Sequence, residues 1–184
     1  MPATSEILVV DDEEDIRLMI SGILQDEGYA TRVAATGEDA LEQVKTRAPS
    51  AVILDIWLEN SALDGLQVLS AIKAMRPIVP VVMISGHGTI ATAVQAIKQG
   101  AYDFIEKPFE ADRLLVVIGR AIEAARLKRE NIELRSRAGA PETLIGTCPA
   151  VSALRRTIER VAPTGSRVLI TGPAGSGKEV VARQ

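Results

Sequence analysis

Five short apolar runs, each followed by a segment of helical spacing, dictate what the first 120 residues can fold into. Residues 7–10, 31–34, 51–54, 79–84 and 102–105 are bounded by polar or turn residues, and most are rich in Val and Ile. This is the pattern of strands buried on both faces of a sheet. Between them, Ile16, Met19, Ile20, Ile23 and Leu24 step by three and four residues until Gly28. Ala40–Leu41–Val44–Ala48, Leu66–Leu69–Ile72, Ile90–Ala93–Val94–Ile97 and Leu114–Leu115–Ile118–Ile122 repeat that spacing. The first three of these end at Pro49, Pro77 and Gly100, where a helix stops. Strand and helix alternating five times through short links predict an α/β, doubly wound parallel sheet, because right-handed crossovers cover both faces with helices.

Composition removes several function classes. A single cysteine, Cys148, allows no internal disulfide and points to a reducing cytoplasm rather than a secreted scaffold. No apolar run approaches the roughly 18 residues of a membrane span, and the N-terminus lacks the basic region of a signal peptide, so no membrane partner is expected. The net charge of −3 is too mild for nucleic-acid binding by bulk charge. Its distribution is uneven: residues 1–64 hold fourteen acids against four Lys or Arg, and the remainder ten against seventeen. Either the acids form a solvating surface or some of them hold a cation.

Their placement favours the cation. Ligands of such sheets bind outside the carboxyl ends of the strands. There ILVV is followed by Asp11 and Asp12, AVIL by Asp55, VVMI by Ser85, and YDFIE by Lys107. Three convergent carboxylates cannot all remain ionised cheaply. A hard cation removes that cost, and Mg²⁺ suits a site that shares phosphate oxygens. With a lysine as a point charge and a small hydroxyl, this is the inventory for phosphoryl transfer. Asp55, the carboxylate that stands alone, is the expected nucleophile. His87, between Gly86 and Gly88, is expected to be an exposed loop residue.

An acidic pair, an isolated Asp, a Ser and a Lys-Pro, complete and in order, resemble the receiver domain of bacterial two-component response regulators over residues 1–125. The resemblance implies a flavodoxin-like (βα)5 fold with sheet order 2-1-3-4-5. It implies that Asp11 and Asp12 hold Mg²⁺, that Asp55 and the backbone carbonyl of Trp57 complete the ligands, and that Asp55 takes phosphate from a sensor histidine kinase. Ser85 and Lys107 would bind the phosphoryl oxygens, Lys107–Pro108 would be cis, and Phe104 would be a rotamer switch or ordinary strand packing. A homodimer through the fourth helix, fifth strand and fifth helix is implied as well. One departure stands out: IWLENSALDG places Gly65 ten residues after Asp55, two more than usual, without a proline. This loop, with MISGHGTIATAVQAIKQGAYDFIEKPF, resembles the NtrX-like branch of the NtrC family, whose kinase would be NtrY-like.

Residues 126–140 are expected to continue the fifth helix as a linker. Leu115, Ile118, Ile122, Ala125, Arg129 and Ile132 step by three and four, which allows a short two-chain coiled-coil seam. A solvated linker helix is the alternative. In residues 141–184, VSALRRTIERVA reads as a helix and RVLIT as a buried strand, leading into GPAGSGKE, a G-x-x-x-x-G-K phosphate loop. Glu179 stands where Ser or Thr is usual. That form, with the preceding stretch, resembles the start of the AAA+ domain of sigma-54-dependent activators, in which Gly172, Gly175, Gly177 and Lys178 would bind ATP. The acidic strand, arginine finger, sigma-contacting loop and DNA-binding helices of that class are not found, so ATP turnover and contacts with sigma-54 polymerase and DNA are expected only of a longer protein. The last forty residues are expected to pack loosely or to be borrowed into a dimer contact. A stand-alone phosphate shuttle and a P-loop NTPase are the competing readings.

Overall fold

The computed structural model describes residues 5–86, 89–137, 144–165 and 167–182. They form two compact units, Met1–Glu130 and Asn131–Gln184. In the first, β1 (Glu6–Val10), α1 (Glu14–Asp26), β2 (Ala30–Ala34), α2 (Gly37–Thr46), β3 (Ala51–Asp55), α3 (Gly65–Met75), β4 (Val81–Ser85), α4 (Ile90–Lys98) and β5 (Asp103–Glu106) alternate before α5 (Ala111–Arg137). The five strands form one parallel sheet, as the alternation predicts, in the order β2-β1-β3-β4-β5 that the resemblance implies.

Alternate residues of each strand serve opposite faces. Leu8, Val10, Val52, Leu54, Val81 and Met83 pack under α2 and α3 with Ala40, Val44, Val68, Leu69 and Ile72. Ile7, Val9, Ile53, Val82, Ile84 and Ile105 pack against Ile20 and Leu24 of α1 and Leu114, Ile118 and Ala121 of α5. The chain order reverses between β1 and β3, and this switch point opens the crevice where Asp11 and Asp55 lie. β4 begins two residues later than the apolar run because Val79 donates to the Arg76 carbonyl in a turn and Pro80 has no N–H to give a ladder.

Two expectations need correction. The stripe assigned to a coiled-coil seam faces this chain's own sheet in its first half. Ile118 and Ala125 are buried, and Leu115 and Ile122 are half-buried against the same cluster. Leu127, Ile132 and Leu134 are the exposed apolar residues further along α5. Periodicity marks an apolar stripe without saying which surface it meets.

The second unit contains α6 (Pro149–Val161), a 3₁₀ turn at Ala162–Thr164 and α7 (Lys178–Ala182). None of the described residues from 144 to 182 is buried, in line with loose packing. RVLIT is not a buried strand: it is irregular, with Val168 59% and Leu169 88% exposed. A β-ladder needs a neighbour, and among the described residues none pairs with it.

Gly65 shows how tightly the first unit closes around its switch point. A Cβ there would strike the Asp55 carbonyl oxygen and the Ile56 Cα, both backbone atoms that cannot rotate away. Gly65→Ala is therefore expected to cost about 2–3 kcal/mol, as overpacking does, read as a lower urea midpoint with an unchanged slope.

Candidate functional site

β1 and β3 deliver their terminal residues to the crevice. Asp11 follows β1 and is fully buried, Asp12 beside it is half-buried, and Asp55, the last residue of β3, is 4% exposed. Carboxylate oxygens of all three lie within 4.8 Å of one another. β4 ends at the buried Ser85, whose backbone carbonyl accepts from the Lys107 amide at 2.8 Å. Lys107 lies just past β5, and its Nζ donates to Asp11 Oδ2 at 2.8 Å and Asp55 Oδ2 at 2.7 Å. The expected cis Lys107–Pro108 bond is present.

The surrounding backbone fixes the carboxylates. Asp11 Oδ1 accepts from the Glu13 amide at 3.0 Å, and Asp55 Oδ1 accepts from the Trp57 amide at 3.2 Å. Burial pushes the Asp55 carboxyl above its ordinary range and the Asp11 charge adds to this, while Lys107 and the Trp57 amide pull the other way. For Lys107, burial acts to lower the pKa, but hydrogen bonds and charge from Asp11 and Asp55 outweigh it and hold it above the ordinary value. It stays cationic at neutral pH.

A cavity of about 410 Å³ opens on this cluster, lined by Asp12, Glu13, Asp55, Trp57, Glu59, Gly86 and Lys107. Three buried or half-buried carboxylates facing one ammonium are a donor set of hard oxygens in excess of positive charge. They fit a divalent cation such as Mg²⁺.

The structure thus brings Asp11, Asp12, Asp55 and Lys107 together, with Ser85 on the neighbouring strand end and Trp57 two residues beyond Asp55. Phe104 is half-buried against the α2 and α3 face, and His87 lies outside the described residues. Three contributors were not singled out in the sequence. Glu13 approaches Lys107 at 3.9 Å, and Glu59 lines the cavity. Arg17 on α1 donates to the carbonyls of Asp11 and Asp12 at 2.7 and 2.9 Å, tying the acidic loop to the helix. The DDEE run carried the only signal for Glu13; nothing in the pattern distinguished Arg17 from any exposed helix residue.

In the second unit, Gly175 and Gly177 have φ of +77°, which glycine alone adopts without strain. Lys178 opens α7, and its Nζ donates to the carbonyls of Gly172 at 2.9 Å and Pro173 at 2.7 Å. Among the described residues no helix is long and apolar enough to cross a membrane.

Comparison with known proteins agrees with this geometry. Residues 7–119 match the response regulator receiver domain, and residues 144–184 match the sigma-54 interaction domain. The nitrogen assimilation regulatory protein NtrX of Azorhizobium caulinodans is 56% identical over 97% of this chain and 39% of its own length. The crystal structure of NtrX from Brucella abortus in complex with ATP superposes with a TM-score of 0.73 at 58% identity, covering 97% of this chain and 39% of that one. The receiver domain of the same protein gives a TM-score of 0.62 at 62% identity over 64% of this chain and 98% of that one. The chain spans about two-fifths of the length of the curated relatives it matches. With a complete receiver fold, its rim of carboxylates and lysine, and a sigma-54 interaction segment behind it, the chain belongs to the NtrX-like response regulators of two-component systems.

Proposed function

We propose that this chain is the phosphoacceptor part of a sigma-54-dependent transcription activator and that Asp55 is its acceptor. The observation that carries the reading is the Lys107 ammonium bridging Asp11 and Asp55 inside a cluster of three carboxylates. An Asp55 carboxylate oxygen attacks the phosphorus of a phosphohistidine on a sensor kinase of NtrY-like type. The new O–P bond forms as the P–N bond breaks, and the electron pair leaves on the imidazole nitrogen. Asp11, Asp12, Asp55 and the Trp57 carbonyl would hold Mg²⁺, which neutralises charge on the carboxylates and the arriving phosphoryl oxygens. Lys107, freed from Asp55 as the phosphoryl group arrives, pairs with one of its oxygens, and the Ser85 hydroxyl donates to another.

Movement of Ser85 and Phe104 then biases the surface of α4, β5 and α5 toward homodimerisation. The exposed Ile90, Val94 and Ile97 of α4 and Val116 of α5 support that face. On this reading residues 1–125 are the receiver, 126–140 a linker helix and 141–184 the start of the AAA+ domain. Gly172, Gly175, Gly177 and Lys178 belong to its ATP loop, which the ATP complex of the Brucella abortus protein supports. Contacts with sigma-54 polymerase and DNA belong to the longer protein, and the site of action is the cytoplasm.

Trp57, the sole tryptophan, is 54% exposed and lies two residues from Asp55. Its fluorescence is expected to change on adding Mg²⁺ and again on adding beryllofluoride, a phosphoryl mimic. Asp55→Asn should abolish the second change. A flat response to both additions would overturn the assignment.

A further inference from the structure

The loop of residues 56–64, which follows the acceptor strand, is held at two levels. At its base Ile56 is buried, its carbonyl accepts from the Gly65 amide at 2.9 Å, and Leu58 is seated in the core. Beyond Leu58 the chain turns, with the Ser61 amide on the Leu58 carbonyl at 3.3 Å, and reaches the N-terminus of α2. There the Ser61 hydroxyl uses its full capacity. It accepts from the Gly37 amide at 3.0 Å and the Leu63 amide at 3.2 Å, and donates to Glu38 Oε2 at 3.0 Å. Glu38 Oε1 accepts from the Ala62 amide at 2.9 Å. A Cβ on Gly37 would press on Val68 and on the Ser61 hydroxyl, so the three segments meet without slack.

These bonds hold the far limb of a loop whose near limb lines the Asp55 cavity with Trp57 and Glu59. The base anchors the side chains of Ile56 and Leu58 in the core, while the backbone from Leu58 onward is carried to α2 by the Ser61 turn and the bonds of Glu38. The two residues by which this loop is longer would otherwise add freedom beside the metal ligands. We infer that Glu38 and Ser61 are positioning residues: they latch the long loop to α2 and so preorganise the Trp57 side of the Mg²⁺ site. This rests on the Asp55 reading above. The latch acts through the backbone that leads from Ser61 back to Trp57, and neither Glu38 nor Ser61 is itself a metal ligand or a phosphoryl contact.

The test uses the whole chain with Ser61→Ala, Glu38→Ala, the double variant, and Val44→Ala. The last removes core volume under α2 and leaves the hydrogen bonds of Glu38 and Ser61 in place. Mg²⁺ affinity is read from Trp57 fluorescence, and independently from the Mg²⁺ concentration giving half-maximal phosphorylation by a small acyl phosphate. Ser61→Ala and Glu38→Ala should each weaken Mg²⁺ binding about tenfold, the scale of losing an outer support of a metal site. The double variant should be little worse than either, because both remove one connection. Ser61→Thr, which keeps the hydroxyl, should restore affinity. Val44→Ala should lower the melting temperature and leave affinity alone. If Ser61→Ala does not fold, Glu38→Ala carries the test. Wild-type Mg²⁺ affinity in the folded latch variants would overturn the inference while leaving the Asp55 site standing. A wild-type chain without any Mg²⁺ response would remove the Asp55 reading itself, and the latch with it.

Discussion

Asp55→Asn is expected to eliminate phosphorylation of this chain by a small acyl phosphate and, in the same protein, to raise its stability. The first effect is loss of the nucleophile: an amide oxygen carries no anionic pair to form the acyl phosphate, and the nearby Asp11 is engaged by the Glu13 amide and by Lys107. Intact-mass measurement after incubation with phosphodonor and Mg²⁺ should show no phosphorylated species, and a phosphorylated variant would refute Asp55 as acceptor. The second effect follows from burial, which together with Asp11 raises the Asp55 pKa in the folded chain. A carboxyl with a higher pKa folded than unfolded takes up protons more readily when folded. Its unfavourable contribution is absent below the unfolded pKa and sets in as pH rises through the folded one. At neutral pH without Mg²⁺ the neutral isostere escapes that penalty. A gain of about 1 kcal/mol, roughly 3–5 °C for a unit of this size, is expected. The gain should shrink when the pH is lowered below the carboxyl range.

Lys107→Met should have the opposite effect on stability. The side chain of Lys107 is 13% exposed and spans two buried carboxylates. Methionine keeps the apolar stem and deletes the charge, so packing loss is small. Breaking a buried pair from one side leaves uncompensated charge and costs on the order of 3 kcal/mol, here limited by the ability of the Asp55 carboxyl to take up a proton. Urea unfolding at neutral pH without Mg²⁺ should show the loss. Without the ammonium the folded-state pKa of Asp55 rises further, so the deficit should be largest at neutral pH and narrow on acidification. Mg²⁺ should restore much of it. A variant as stable as wild type at neutral pH in Mg²⁺-free buffer would show that the bridge contributes nothing in solution.

The site was legible in the sequence because a parallel sheet places its functional groups at strand ends, and strand ends can be read from where an apolar run stops. Asp11, Asp55, Ser85 and Lys107 each follow such a run. What supports them was not legible. Arg17 reaches back from α1 to two carbonyls, and Glu38 meets Ser61 from 23 positions away, relations that no periodicity encodes. RVLIT shows the converse: its composition reads as a buried strand, yet a strand exists only with a neighbour. The stripe on α5 was visible, but its partner, the chain's own sheet, was not.

The split of each strand between two cores has a consequence for how such a chain can vary. In the three central strands every residue but Glu6 is buried: Ala51–Asp55 and Val81–Ser85 throughout, and β1 beyond Glu6. Adding or removing one residue there would exchange the side chains of the two faces and shift the terminal aspartate or serine off the rim. Core and chemistry are thus read in one frame, and a frameshift in either destroys both. Length is free to change in the links outside the strands, among them the step of ten residues from Asp55 to Gly65.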